Sequence, residues 1–307
     1  MDMVYDAVIV GGGPGGYSAA LYCARAGLKT LVLEMLSRGG QMATAPRIDN
    51  YPGFDEGING CELSAKMQNG AARFGAETIL AQATSIDLTS QPKMISTSSG
   101  HFEAKTVILA MGAAPRRLGL TEEVELVGRG VSYCATCDGR LFSGKTTAVI
   151  GGGNSAVSAA LTLARFCAKV YLIHRRSRLR ASGSSMAQLR NTRNIQCVWN
   201  TQVEKILHER AVTGLSLRNT VDGTSSVLPC DGVFIAIGRI PNTALIAGQL
   251  ELDAAGYIPA DETTRTPLPG VFAVGDLRIK PLRQIVTAVS DGAVASKFAE
   301  EYLSALA

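Results

Sequence analysis

Two cysteines two residues apart, with an aspartate directly after them, are the residues of this chain best suited to chemistry. They are Cys134, Cys137 and Asp138. A pair at this spacing can exchange two electrons as dithiol and disulfide, and the local backbone can lower a thiol pKa from about 8.5 towards neutrality. The acid is suited to move the proton of a thiolate. Half of a zinc site is the alternative, but the sequence has no second CxxC and no CxxH.

Length and composition limit the classes of protein to which this pair could belong. The 307 residues are enough for one large or two medium domains, 46% of them are hydrophobic, and the net charge is +4. A group of arginines has no aromatic residues between its members, which predicts a phosphate site and a solvated surface instead of a nucleic-acid track. These arginines are Arg175, Arg176, Arg178, Arg180, Arg190 and Arg193.

The sequence gives no sign of a membrane span or an exported chain. No apolar run reaches the eighteen or so residues of a span. The acidic N-terminus leads directly into a predicted strand, unlike a signal peptide. We therefore expect a cytoplasmic protein, in which a CxxC is more often catalytic than structural.

The remaining cysteines show no motif spacing, and we predict that they fill the core, because free cysteine is among the most buried residue types. They are Cys23, Cys61, Cys167, Cys197 and Cys230. His101 and His208 are predicted to lie at the surface. No cluster of side chains suggests a metal site.

A glycine-rich segment occurs twice, once at Gly11–Gly16 and once at Gly151–Ala156, an offset of 140 residues. In each copy a strand is predicted before the segment, a helix after it and a second strand some 20 residues on. The predicted elements are Val8–Val10, Tyr17–Ala26 and Leu31–Glu34 in the first copy, and Ala148–Ile150, Val157–Cys167 and Val170–Ile173 in the second. This context is typical of dinucleotide-binding units of the Rossmann type.

The glycines of such a unit let the backbone turn tightly and approach a pyrophosphate, which then lies at the N-terminus of the helix. Pro14 is tolerated because it stands near a helix start. The predicted phosphate-binding residues are Gly11, Gly13, Pro14 and Gly16 in the first copy, and Gly151, Gly153, Asn154, Ser155 and Ala156 in the second.

The two copies differ at the end of their second strand, where Glu34 of the first aligns with His174 of the second. An acid there accepts hydrogen bonds from an adenosine ribose 2′-hydroxyl, as in FAD or NAD. His174, Arg175 and Arg176 would instead attract a 2′-phosphate. We therefore predict FAD or NAD at the first copy and NADP(H) at the second. FAD is the natural intermediary between a nicotinamide hydride and a dithiol.

These residues together resemble the low-molecular-weight thioredoxin reductases of bacteria, archaea and plants, over nearly the whole chain. The motifs that carry the resemblance are the two glycine-rich segments, Gly39-Gly40-Gln41, Asn50-Tyr51-Pro52-Gly53, Cys134 to Gly139, His174-Arg175-Arg176 with Arg180, and Gly275-Asp276 followed by Arg283-Gln284.

The resemblance implies an α/β fold with two Rossmann-like domains, the second inserted in the first. Residues 1–113 and 244–307 would bind FAD, and residues 114–243 would bind NADPH and carry the CxxC. It also implies that Asp276 holds the flavin's ribityl chain, that Gly40, Gln41, Asn50, Gly112 and Gly275 lie near FAD, and that the helix near Arg283-Gln284 faces the ring with its N-terminus. The family is homodimeric.

The activity that this resemblance implies is electron transfer from NADPH to FAD, to the Cys134–Cys137 disulfide and then to oxidised thioredoxin. Cys137 would be the sulfur nearest the flavin, and Cys134 would attack the partner disulfide. Because both nicotinamide and disulfide must reach the flavin, the second domain is expected to rotate about the crossings near Ala113 and Arg239.

The sequence departs from the family pattern at a few positions. Met111 stands where threonine is usual, Ser177 where an acid is usual, and Arg140-Leu141-Phe142 where some members have two aromatic residues thought to face thioredoxin. The third departure leaves the choice of partner open.

Four other functions are compatible with parts of the pattern. A ferredoxin–NADP reductase of this type would lack the CxxC. The flavoprotein of a peroxide-reducing system would carry an extra N-terminal module. Dithiol oxidases and ferredoxin-driven relatives would lose the basic NADPH signature. A non-enzymatic NADP sensor would purify colourless.

Overall fold

Parallel strands built from the hydrophobic runs form the framework of the structure, a computed structural model that describes residues 4–35, 38–45, 47–181 and 184–306. The strands are β1 (Val4–Val10), β2 (Thr30–Glu34), β3 (Glu77–Leu80), β4 (Ala83–Asp87), β5 (Lys93–Thr97), β6 (Gly100–Leu109), β7 (Ala113–Pro115), β8 (Val131–Ser132), β9 (Thr146–Ile150), β10 (Lys169–Ile173), β11 (Ile195–Val198), β12 (Thr201–His208), β13 (Val212–Asn219), β14 (Ser225–Pro229), β15 (Gly232–Ile235), β16 (Arg239–Pro241) and β17 (Val271–Ala273). The helices are α1 (Pro14–Arg25), α2 (Gly60–Ala72), α3 (Thr121–Glu125), α4 (Ala135–Asp138), α5 (Asn154–Leu163), α6 (Ser184–Asn191) and α7 (Ile285–Ser304).

The chain divides into two units. The first comprises Met1–Ala114 and Ile240–Ala307, and the second comprises Pro115–Arg239. The sequence-based boundaries were 113/114 and 243/244. The chain passes between the units in the short strands β7 and β16.

The first unit is built on a seven-stranded sheet with the order β3-β2-β1-β6-β5-β4, and β17 pairs with the end of β6. Strands β3, β2, β1, β6 and β17 pair in parallel, whereas β5 pairs antiparallel with both β6 and β4. Val8 and Val10 of β1 face one hydrophobic core, and Ala7 and Ile9 face another on the opposite side of the sheet. Helices α1 and α7 pack against each other on the second side. Burial on both faces explains why residues 7–10 of β1 form a continuous apolar run.

The second unit contains a five-stranded parallel sheet with the order β11-β10-β9-β15-β8 and a three-stranded antiparallel sheet, β12-β13-β14. In the parallel sheet Val149 packs on the side of helix α5, and Ala148 and Ile150 pack on the other side. Both units therefore have the parallel, Rossmann-like α/β topology predicted from the repeat, a prediction that is confirmed.

The helices of the repeat begin three residues earlier than predicted. Helix α1 begins at Pro14, with Gly13 as its N-cap, and α5 begins at Asn154. Proline at the first helical position costs little because that N–H has no intrahelical acceptor. The second helix also ends at Leu163, before the predicted Cys167.

The prediction that all five other cysteines fill the core is wrong for Cys61. Cys23, Cys167 and Cys230 are buried and Cys197 is partly exposed, but Cys61 is exposed. Cys61 lies in the first turn of α2, where its Sγ donates to the Ala43 carbonyl oxygen at 3.1 Å. His101 and His208 are exposed, as predicted.

Candidate functional site

The predicted site residues of the second unit follow the carboxyl ends of neighbouring parallel strands. The cysteine pair follows β8, the glycine loop follows β9, and His174 follows β10. Strand β15 alone lies between β8 and β9, so the starts of the two loops are about 10 Å apart in the plane of the sheet. This edge is where open α/β sheets bind their ligands.

Cys134 and Cys137 form a disulfide, with an S–S distance of 2.07 Å and their Cα atoms 5.3 Å apart. Cys134 is the N-cap of the short helix α4, and the backbone N–H of Cys137 donates to the Cys134 Sγ at 3.2 Å. Cys134 is half-buried and Cys137 is exposed. A bonded pair at the surface can undergo thiol–disulfide exchange, so the structure supports the redox interpretation of the motif.

Ser132, which the sequence reasoning missed, holds Asp138 beside the disulfide. Its hydroxyl donates to the Asp138 Oδ2 at 2.6 Å, and its oxygen accepts from the Cys134 backbone N–H at 3.0 Å. Burial raises the pKa of the Asp138 carboxyl, and the Ser132 hydrogen bond opposes that rise. A carboxyl with a raised pKa, held next to a sulfur pair, is suited to proton transfer.

The residues after Asp138 divide between surface and core. Arg140 and Leu141 are exposed. Phe142 instead packs edge-on against Phe234 at 5.3 Å between ring centroids, with the Lys145 ammonium over its ring. Within the segment Arg140-Leu141-Phe142, which departs from the family pattern, only Arg140 and Leu141 are therefore presented to solvent.

The second glycine loop lies directly against His174. Gly151 has φ +153°, and a side chain at Gly152 would collide with the imidazole ring. Burial lowers the pKa of His174, with Arg180 and Arg176 contributing in the same direction. The His174 Nε2 is buried and has no hydrogen-bond partner among the residues that the structure describes. An unpaired polar atom in a buried ring next to a phosphate-type loop fits a nucleotide ligand.

The arginine segment folds back onto the same loop. The backbone N–H of Arg180 donates to the Gly152 carbonyl oxygen at 2.7 Å. The side chains of Arg175, Arg176 and Arg180 are all exposed. Three exposed guanidinium groups beside a glycine loop are the donor set that a 2′-phosphate requires.

The first glycine loop has a carboxylate at the place that His174 occupies in the second. The Gly12 backbone N–H donates to the Glu34 Oε2 at 2.8 Å, and the Met35 N–H donates to its Oε1 at 2.8 Å. A Cβ at Gly13 would meet no atom of the described residues within 4 Å, so the loop is open at this α-carbon. The buried acid and the open glycine fit an adenosine ribose and a pyrophosphate.

Further predicted FAD residues of the first unit lie around this loop. The Gly39 N–H donates to the Gly12 carbonyl oxygen at 2.9 Å, which places Gly40 and Gln41 beside the glycines. The Gln41 Nε2 donates to the Ala113 carbonyl oxygen at 2.6 Å, next to Gly112. Two more predicted residues meet where the Asn50 Nδ2 donates to the Gln284 Oε1 at 2.9 Å.

Gln284 is the N-cap of the long helix α7, and its backbone N–H donates to the Thr287 Oγ1 at 3.1 Å. The preceding Arg283 stacks over the Tyr257 ring at 4.2 Å, and its Nε is buried without a hydrogen-bond partner in the described part of the chain. Helix α7 therefore begins where the family resemblance implies a helix N-terminus that faces the flavin.

A buried ion cluster that the sequence reasoning missed fixes the turn at Gly275-Asp276. The Asp291 carboxylate accepts from the Gly275 N–H at 2.8 Å, from the Arg278 guanidinium at 2.8 and 3.0 Å, and from the Lys280 ammonium at 2.7 Å. Burial alone would raise the pKa of Asp291, but the hydrogen bonds from Arg278 and Lys280 outweigh it and lower that pKa. The cluster joins the turn to α7.

The described residues contain neither a cluster of metal ligands nor a membrane-spanning helix. Within the described ranges, no three or more His, Cys, Asp or Glu side chains are placed to hold a metal ion. None of the helices in this part of the chain is both long and apolar enough to cross a membrane.

Comparisons with known proteins agree with this geometry. The pattern of the pyridine nucleotide-disulphide oxidoreductase family matches residues 5–292. A thioredoxin reductase of Listeria monocytogenes is 44% identical over 99% of this chain and 96% of its own. A bifunctional thioredoxin reductase/thioredoxin of Mycobacterium leprae is 44% identical over 99% of this chain and 67% of its own. The crystal structure of thioredoxin reductase from Streptococcus pyogenes matches with a TM-score of 0.91 at 39% identity, over 99% of this chain and 100% of that one.

The chain therefore belongs to the pyridine nucleotide-disulphide oxidoreductase family. It is a flavoprotein oxidoreductase that uses FAD and NADPH. Both cofactors predicted from Glu34, His174 and the two glycine loops are thus confirmed at the level of the protein.

Proposed function

We propose that this protein is an NADPH-dependent thioredoxin-disulfide reductase. One observation carries the proposal: a formed Cys134–Cys137 disulfide lies on the same sheet edge as a loop with the donor set for a 2′-phosphate. The relatives with 44% identity named above are thioredoxin reductases over almost the whole of this chain. This combination speaks against a relative that lacks the CxxC or the NADPH site.

We infer which residues hold each cofactor. When bound, NADPH supplies a hydride and FAD supplies a carrier of two electrons between that hydride and a disulfide. Residues of the first glycine loop with Glu34 would hold FAD, together with Gly40, Gln41, Asn50, Gly112, Gly275, Asp276, Arg283 and Gln284. Residues of the second loop would hold the pyrophosphate of NADPH, and His174, Arg175, Arg176 and Arg180 its 2′-phosphate.

The chain's own sulfur chemistry balances in three steps. Two electrons and two protons convert the Cys134–Cys137 disulfide to two thiols. The Cys134 thiolate then attacks the thioredoxin disulfide, forming a mixed disulfide and releasing one partner thiolate. The Cys137 thiolate attacks the Cys134 sulfur, which restores the disulfide and releases reduced thioredoxin. Asp138 would supply and recover the proton at the sulfur pair.

The order of the two sulfurs rests on the family resemblance. The Cys137 N–H that points at the Cys134 Sγ supports it, because a backbone donor stabilises a thiolate at Cys134. In the oxidised chain Cys137 is the more exposed of the two. The proposed order therefore requires the reduced pair to present Cys134 to thioredoxin.

We further propose that the second unit rotates between half-reactions. The two crossings support this, since each is a single short strand next to a glycine with positive φ, Gly112 (+65°) and Gly238 (+117°). A Cβ at either glycine would meet no atom within 4 Å, so neither is held by packing around its α-carbon. Such positions can absorb the backbone changes of a hinge.

A homodimer in the cytoplasm completes the proposal. Tyr22 of helix α1 and Phe74, in the turn after α2, are exposed. The Arg25 guanidinium lies over both rings. Exposed aromatic and arginine side chains are enriched in protein interfaces. Light scattering on the purified holoprotein should give twice the chain mass; the chain mass alone would contradict the dimer.

The function is tested by reduction of a panel of thioredoxins, followed in parallel with NADPH and NADH. The purified protein should be yellow, bleach anaerobically with NADPH, and reduce at least one thioredoxin much faster with NADPH than with NADH. A Cys137→Ser variant should lose thioredoxin reduction and keep flavin bleaching. A yellow protein that bleaches but reduces no thioredoxin would contradict the proposal and favour the dithiol-oxidase or ferredoxin-driven relatives.

A further inference from the structure

Trp199 is the chain's single tryptophan and follows directly after the edge strand β11. The backbone on both sides of Trp199 is hydrogen-bonded to the backbone of His174. The His174 N–H donates to the Val198 carbonyl oxygen at 2.9 Å, and the Thr201 N–H donates to the His174 carbonyl oxygen at 3.0 Å. Trp199 therefore lies at the position next to the residue that distinguishes the two nucleotide sites.

The first repeat has the same arrangement with a different residue. There Leu80 is in register with Glu34, and the Ala81 N–H donates to the Glu34 carbonyl oxygen at 2.8 Å. Leu80 is 53% exposed and Trp199 is 38% exposed. In both units this position is thus an apolar side chain left open to solvent beside the residue predicted to meet the adenosine ribose.

The segment of Trp199 is also bonded to the arginines of the second unit. The Asn200 N–H donates to the Arg176 carbonyl oxygen at 3.2 Å. Thr220, whose N–H donates to the Asn200 carbonyl oxygen at 2.6 Å, donates through its Oγ1 to the Arg175 carbonyl oxygen at 3.2 Å. The guanidinium groups of both arginines are exposed. A partly exposed tryptophan whose backbone is tied to that of exposed arginines can provide a flat apolar face for a base, and the arginines can provide charges for its phosphate.

We propose that Trp199 is part of the NADPH site and stacks on the adenine ring. The inference rests on the proposed assignment of the second glycine loop to NADPH. It adds a residue that contacts the base to a set that otherwise contacts phosphates and ribose. Its effect is on the adenosine half of the nucleotide and leaves the nicotinamide half unchanged.

The test uses tryptophan fluorescence of the FAD-loaded protein, because Trp199 is the only source of that emission. Adenosine 2′,5′-bisphosphate should quench or shift it in a saturable way, whereas nicotinamide mononucleotide, which lacks the adenine, should not. In calorimetry Trp199→Ala should weaken binding of the bisphosphate about tenfold, and Trp199→Phe should keep most of the affinity. Val221→Ala, which truncates a 77% exposed side chain of the same unit, is the control and should bind normally.

The outcomes separate the role of Trp199 from the proposed function. Equal affinity of the bisphosphate for wild type and Trp199→Ala, with both variants folded by circular dichroism, would overturn the role of Trp199. If the bisphosphate binds as expected but no thioredoxin is reduced, the proposed function fails and the role of Trp199 stands. Thioredoxin reduction that is intact in Trp199→Ala at low NADPH would likewise contradict stacking.

Discussion

The proposed proton-transfer role of Asp138 depends on its burial and on a hydrogen bond from Ser132. Its carboxyl is partly withdrawn from water, which raises its pKa, and a single hydroxyl, that of Ser132, limits the rise. Ser132 also accepts from the Cys134 backbone, so the same side chain orients the acid and the start of helix α4. We therefore propose that Ser132 positions Asp138 and limits the rise of its pKa.

Replacement of Ser132 by alanine should therefore move the pH dependence of thioredoxin reduction to higher pH. The lost O–H donor stabilised the charged carboxylate, so the pKa of Asp138 rises further and the protonated form persists at higher pH. The pH profile of kcat measures this. Asp138→Asn should cost about a hundredfold in kcat at the pH optimum, since general acid–base groups contribute at least that much, and should remove the pH dependence that Asp138 causes.

Ser143→Ala, at an exposed serine of the same unit, is the matched control and should leave the profile unchanged. An unshifted profile in Ser132→Ala would show that Ser132 does not tune Asp138.

The sequence could predict those site residues that a local pattern encodes. Glu34 and His174 were found because each ends a strand at a fixed distance from a glycine loop. Ser132 and Trp199 have no such pattern. They reach the site through strand pairing and through side-chain bonds that form only after the sheet has set the register.

At the scale of elements, the repeat predicted the first strand, helix and second strand of both units, and the structure confirms their order. The observed helix starts differ from the predicted ones because capping decides where a helix begins. Gly13 and Gly153 are N-caps, so the two helices start at the next residue, Pro14 and Asn154. The hydrophobic periodicity of the sequence could not predict the sheet order β11-β10-β9-β15-β8, because this order depends on which strands pair although they are distant in sequence.

The Arg278–Asp291–Lys280 cluster joins a turn to a helix. No sequence motif predicts it, because its members belong to two different elements. Asp291→Asn should destabilise the first unit by about 3–5 kcal/mol, since it leaves two buried cations without their partner carboxylate. Urea denaturation of the holoprotein, followed by circular dichroism and by flavin release, measures the loss.

This contribution also has a defined pH dependence. The pKa of Asp291 is lowered in the folded state, so its stabilisation is fully present above the unfolded value of about 3.9 and is lost as the pH falls through the folded value. The stability difference between wild type and Asp291→Asn should therefore shrink in strong acid.

Glu301→Gln, which breaks the exposed pairs of Glu301 with Arg265 and Lys297, is the control and should cost less than about 1 kcal/mol. A loss as small as this in Asp291→Asn would mean that the buried cluster contributes no more than a surface pair.

At the scale of the whole molecule, the proposed rotation depends on the two short crossings between the units, at β7 and β16. Gly238→Ala tests it directly. The alanine side chain has room, but its φ of +117° lies where L-residues are strained, so the substitution changes backbone freedom without a clash. Steady-state thioredoxin turnover should fall several-fold, while reduction of the flavin by the first equivalent of NADPH in stopped flow changes less.

Gly128→Ala provides the matched control, because Gly128 lies in the same unit, has φ +76° and is equally open. Its turnover should stay near that of the wild type. If the two variants behave alike, the crossing at Gly238 carries no special mobility.

The central claim is that one chain passes electrons from NADPH through FAD to the Cys134–Cys137 pair, and anaerobic titration with NADPH tests it most directly. A flavin and a disulfide together take up four electrons, so the wild-type holoprotein should consume about two equivalents of NADPH before free NADPH accumulates. The Cys137→Ser variant should consume about one. Addition of oxidised thioredoxin should then produce new thioredoxin thiols only with the wild type. Uptake of a single equivalent by both proteins would contradict the account, because it would mean that the disulfide receives no electrons from the flavin.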